Sequence, residues 1–103
     1  MTHWIRVCRA DEIEHEDLVR FDDGEKTYCV YNTTKGYFAT DGWCTHEAEH
    51  LEYGMVIGTV IECPLHQGRF DIPTGKALSA PVCVDLKTYP VKIDDGDLFI
   101  ATD

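Results

Sequence analysis

Basic residues are scarce in this chain. Nine Lys and Arg stand against nineteen Asp and Glu in 103 residues, a formal net charge of −10. Neutralising phosphates requires a basic face, so nucleic acid is excluded as a partner class. An acidic surface suits brief, steered encounters with basic patches on other proteins, and it also serves plain solubility. No run of eighteen apolar residues occurs, so no segment reads as a spanning helix. The opening segment MTHWIR has neither an apolar signal region nor a twin-arginine pair, and the expected location is the cytoplasm. Thr74-Gly75-Lys76 lacks the G-x-x-x-x-G-K-[ST] spacing of a phosphate loop. Internal repeats and low-complexity segments are absent too. The length predicts one domain, 1–103, with a core small enough that a bound metal group would contribute much of its stability.

Cysteine is present in an odd number, five. Cys8, Cys29 and Cys83 lie far apart and read as reduced, small core hydrophobes. Asn32-Thr33-Thr34 matches a glycosylation sequon but reads as a hairpin turn. Cys44 and Cys63 differ from the rest because each opens a pair, Cys44-Thr45-His46 and Cys63-Pro64-Leu65-His66. A Cys₂His₂ zinc finger offers two Cys first and two His later. Here each of two loops offers one thiolate and one imidazole. That order suits a binuclear centre in which both loops serve both metals, two Cys on one iron and two His on the other. A single tetrahedral zinc held by the same four residues, in a structural interaction module, is the competing reading.

The flanking residues carry a resemblance. His66 is followed by Gln67-Gly68-Arg69-Phe70-Asp71 and then Pro73-Thr74-Gly75; Ser79-Ala80-Pro81 comes next. Gly36 to Asp41 (GYFATD) leads into the first pair, Leu51 and Gly54 leave it, and LKTYPV at 86–91 closes the pattern. Together these resemble the small Rieske-type ferredoxins of bacterial ring-hydroxylating oxygenase systems, across nearly the whole chain and most specifically over 36–93. The resemblance implies an all-β fold, an antiparallel sandwich with a base from 1–40 and 84–103 and an inserted two-loop lobe at about 41–83. It implies one [2Fe–2S] cluster per chain, with Cys44 and Cys63 on the inner iron and His46 and His66 on the outer. It further implies a monomeric electron carrier, not an enzyme, between an NAD(P)H-dependent flavoprotein reductase and a terminal oxygenase. Rieske oxygenase large subunits carry a further catalytic domain for mononuclear iron, for which 103 residues leave no room. The small subunit of assimilatory nitrite reductase has a similar fold but usually lacks the four ligands. A redox-sensing regulator would need a DNA-reading face.

Departures from other members of the same class are informative. Rieske centres of respiratory and photosynthetic complexes carry an extra Cys in each loop, joined across the cluster; here those positions hold Glu49 and Leu65. They also place hydroxyls two and four residues after the second His, where this chain has Gly68 and Phe70. Fewer hydrogen bonds to the sulfurs imply a potential near the low end of the Rieske range. Gly68 and Gly75 are expected to turn the backbone near the cluster, and Pro81 to cover it. Phe70 is expected to pack beneath it. Trp43 and Leu65 are candidates for an apolar docking collar, with a buried Trp43 as the alternative; Glu47, Glu49 and Glu52 are candidates for docking charge or, more simply, solvated loop carboxylates.

Short strands punctuated by Gly and Asp turns are expected at 4–8, 18–21, 26–32, 36–40, 59–62, 69–72, 86–93 and 98–101. Within 26–32, Thr27, Cys29 and Tyr31 fall on one face and Tyr28 and Val30 on the other. The acidic stretch 10–17 reads as a solvated turn, with His15 at the surface.

Overall fold

The computed structural model describes residues 2–46, 48–64, 68–80 and 84–102. Its elements follow from alternation and turn chemistry rather than helix propensity. Eleven strands occur among the described residues: β1 (Trp4–Arg9), β2 (Asp17–Asp23), β3 (Lys26–Thr33), β4 (Gly36–Asp41), β5 (Met55–Ile57), β6 (Val60–Glu62), β7 (Arg69–Asp71), β8 (Ala77–Ser79), β9 (Thr88–Tyr89), β10 (Val91–Asp94) and β11 (Asp97–Ala101). Two short 3₁₀ turns, Ala10–Glu12 and Leu51–Tyr53, are the only helical pieces among the described residues. None is long and apolar enough to cross a membrane.

The strands form three antiparallel sheets, ordered β1-β11-β10, β2-β3-β4-β9 and β5-β6-β7-β8. The all-β expectation therefore holds. β3 is the central strand, and its alternation separates two cores. Tyr28 and Val30 pack with Ile13, Ala39, Tyr89, Leu98 and Ile100. Cys29 and Tyr31 point the other way, into a core with Leu51, Ile61, Phe70, Ile72, Leu86, Cys44 and Cys63. Residues that alternate on a strand buried on both sides read as one continuous apolar run, and here all four are nearly inaccessible.

Two local expectations are corrected, and two strands had none. The acidic 10–17 stretch is not wholly solvated, because Ile13 is buried in the first core and its carbonyl accepts the Asn32 side-chain amide at 2.9 Å. The single strand expected over 86–93 is two. Pro90 has no N–H to offer a ladder, and the chain changes sheets there, β9 pairing with β4 and β10 with β11. Short strands β5 and β8 had no clear signal in sequence, since three residues are too few to show a period.

Candidate metal-cluster site

The two Cys/His pairs lie in the loops that follow β4 and β6. Both loops are closed in the same way. The Cys44 N–H donates to the Glu49 carbonyl at 2.9 Å, and the Cys63 N–H donates to the Gly68 carbonyl at 2.7 Å. Each bond runs from a Cys to the fifth residue beyond it. Gly68 thus contributes its carbonyl to the turn. The stems are pressed together at Gly54, where a Cβ would lie 2.3 Å from the Glu62 carbonyl oxygen, directly before Cys63. Any side chain at 54 would force the loops apart.

Burial divides the donors. Cys44 and Cys63 are 6 % and 1 % exposed and belong to the second core, whereas His46 is exposed. Phe70 is fully buried in that core, as expected for packing beneath the site. His66, Leu65, Glu47, Pro81 and Cys83 lie outside the described residues, so the expectations for them stand as such. Among the described residues no three His, Cys, Asp or Glu side chains are grouped to hold a metal ion. Cys8, Cys29, Cys44 and Cys63 form no disulfide. Burial pushes the Cys29 thiol up to about 12, as suits an inert core sulfur.

A third segment is tied to the first loop. Thr45, between Cys44 and His46, donates its hydroxyl to the Val84 carbonyl at 2.6 Å. Asp85 accepts the Ala77 N–H, and the Leu86 N–H donates to the Gly75 carbonyl. Gly75 itself is left-handed, with φ +75°, and its missing Cβ makes room for the Leu86 carbonyl. Trp43 is half exposed beside the loop and not buried. Glu52 is not available as docking charge, because it accepts Arg20 Nη1 at 2.6 Å.

His50 is the residue that sequence reasoning passed over. It is 2 % exposed at the end of the first loop. Its Nδ1 accepts the Glu52 backbone N–H at 3.1 Å, and its Nε2 lies 2.7 Å from Thr27 Oγ1. A backbone N–H can only donate, so Nδ1 is the bare nitrogen and Nε2–H donates to Thr27. The Thr27 hydroxyl donates to Asp22 at 2.6 Å, Arg20 Nε donates to the same carboxylate, and Arg20 Nη1 returns to Glu52. The bonds close a ring of five residues, which passes from the Glu52 carboxylate to its own backbone N–H. Burial, and then the Arg20 charge, hold the His50 pKa below its ordinary value, so the ring stays neutral. The spacing Trp43…His50 carried no signal, because the network is assembled from β2, β3 and the loop.

Two buried thiols and an exposed imidazole are the described part of the donor set, and likeness to known proteins says which class of carrier it belongs to. The chain belongs to the Rieske [2Fe–2S] domain family, which matches residues 3–90. It is 45 % identical over 93 residues to the ferredoxin component of the naphthalene 1,2-dioxygenase/salicylate 5-hydroxylase systems of Ralstonia sp., covering 90 % of this chain and 89 % of that one. The Sphingomonas yanoikuyae B1 ferredoxin superposes with a TM-score of 0.91 at 37 % identity, covering 98 % of this chain and 100 % of its own. A chain in the complex of reduced oxygenase and oxidized ferredoxin of carbazole 1,9a-dioxygenase superposes equally well, at TM-score 0.91 and 33 % identity, with 95 % and 92 % covered. These likenesses make the chain a Rieske-type ferredoxin, an electron carrier rather than a catalyst.

Proposed function

We propose that this ferredoxin carries single electrons from an NAD(P)H-dependent flavoprotein reductase to a terminal oxygenase, through a cluster held by Cys44, His46, Cys63 and His66. The observation that carries the reading is the division of burial, thiols inside and His46 outside. Thiolates placed in the core fix the inner iron rigidly, and an imidazole at the surface shortens the path to a partner's cofactor. The donor set fits the group in number and kind, two soft sulfurs and two imidazoles. When bound, the cluster accepts and releases one electron. The chain's own residues hold it and shield its inner side with Leu51, Ile61, Phe70 and Ile72. Trp43 and His46 are left accessible on the first loop.

The division into a base, 1–40 and 84–103, and a cluster-bearing lobe, about 41–83, is part of the same proposal. So is residence in the cytoplasm as a monomer. With no hydroxyl at Gly68 or Phe70, the midpoint potential is expected near the low end of the Rieske range, about −150 mV. Iron and acid-labile sulfide analysis under anaerobic conditions, followed by EPR of the dithionite-reduced protein, tests the reading. Expected are about two irons and two sulfides per chain and a rhombic mixed-valence signal. A colourless protein holding one zinc would refute it, and a midpoint above zero would refute the low-potential argument alone.

A further inference from the structure

We propose that His50 is a positioning residue for the cluster. Its ring caps the Leu51–Tyr53 turn and packs against Trp43, and so sets the orientation of the loop that presents Cys44 and His46. The proposal rests on the reading of those two residues as ligands.

The neck of the loop is built around this ring. Trp43 and His50 pair through their backbones as an isolated antiparallel bridge. The two rings meet edge to face, with centroids 5.1 Å apart. Below them the Leu51 N–H donates to the Gly42 carbonyl at 2.8 Å, and the Gly42 N–H donates to the Thr27 carbonyl at 3.0 Å. The ring lies so close to Gly42 that a Cβ there would sit 2.5 Å from Nε2. Both ring nitrogens are engaged, one by the 3₁₀ turn and one by β3, so the imidazole has one orientation. Cys44 follows Trp43 directly, and a rotation of the ring would carry Trp43 and the start of the ligand loop with it. An apolar residue could fill the same space. It would leave the Glu52 N–H without its acceptor, and that cap would be lost.

The groups facing the ring are Arg20 and Asp22 from β2, Cys29 from β3, Glu52 from the 3₁₀ turn and Glu49 from its own loop. Protonating Nδ1 would end its acceptance of the Glu52 N–H and turn it towards the Glu52 carboxylate, whose Oε2 lies 3.5 Å away, breaking the cap and loosening the neck. The cluster should therefore be held less firmly in mild acid, for a reason located at His50.

Two replacements separate the ring's two bonds. His50→Asn keeps an acceptor near the position of Nδ1 and cannot titrate. His50→Gln reaches Thr27 but removes the cap. The holoproteins are compared by EPR of the reduced state, by the rate of visible bleaching in chelator at pH 7.5 and 5.5, and by thermal unfolding. The Gln variant is expected to bleach about tenfold faster at pH 7.5, the size of one lost cap, with altered g-values. The Asn variant should stay within about twofold of the parent with the parent signal, and its bleaching should accelerate less between pH 7.5 and 5.5. An Asn variant that tracks the Gln variant, with both melting equally early, would reduce His50 to general stability and overturn the proposal. So would three identical signals and rates. Should the Gln variant not fold, the pH profiles of parent and Asn variant decide, and parallel profiles overturn it. Parent protein without two irons and two sulfides fails the ligand reading itself, an outcome seen before any variant is made.

Discussion

The two ends of the molecule are built on different terms. β2, β3 and β4 run seven, eight and six residues, with an unbroken antiparallel register from Asp17↔Asn32 to Thr33↔Gly36. β5 to β8 run three residues each. The first region closes its core with Ile13, Tyr28, Val30, Ala39, Tyr89, Leu98 and Ile100, all supplied by the chain. The second counts Cys44 and Cys63 among its core residues. Strands so short contribute few ladder bonds, and thiols that ligate metal are not interchangeable with aliphatic packing. The long-stranded region should thus fold by itself, while the short-stranded one should depend on what its cysteines hold.

The largest effect is expected from the cysteines. Cys63→Ser or Cys44→Ser should abolish or severely deplete the cluster, read as iron and labile sulfide content. Full content with an unchanged spectrum would remove that residue from the ligand set. Stripping the metal with chelator should next erase hydrogen-exchange protection over 55–79 while 26–41 keeps most of its own. Simultaneous loss in both regions would break the comparison.

A core truncation on the other side sharpens it. Leu98→Ala should cost about 2–5 kcal/mol in denaturant unfolding, with the visible spectrum of the folded protein unchanged. The smallest effect concerns Cys29, on the face of β3 turned towards the cysteines. Its thiol is pushed from about 9 to about 12, chiefly by burial. A raised pKa means the unfolded chain loses this proton first, so the stabilising contribution is complete below about pH 9 and is lost as pH rises towards 12. Denaturation midpoints should fall between pH 8.5 and 10, at most about 1.4 kcal/mol per pH unit. In Cys29→Val the fall should be shallower, and an identical slope would assign it to the buried tyrosines.

Much of this was legible in the sequence, and for identifiable reasons. The Cys/His pairs stand out by their spacing, because one thiol and one imidazole on each of two loops suit a binuclear centre better than a zinc finger. Turn residues at Asp22 to Gly24 and Thr34 to Gly36 mark hairpins whose φ values only a few residues tolerate, and Gly24 and Gly36 indeed have positive φ. The alternation of 27–31 predicts a two-faced strand. Strands of three residues show no period, and the sheet change at Pro90 shows only that a ladder is interrupted, not where each half goes. Glu52 reads as a free loop carboxylate until Arg20 is seen beside it.

The sequence by itself determined the proposed donor set, the all-β class and the absence of hydroxyls at Gly68 and Phe70, since each depends on residue identity and short-range spacing. Only the tertiary structure decided which donors are buried, that Thr45 is tied to Val84, and that His50 closes a ring with Arg20, Asp22, Thr27 and Glu52. Those contacts join residues up to 39 positions apart. A local pattern cannot encode them, because they exist only once the sheets have packed.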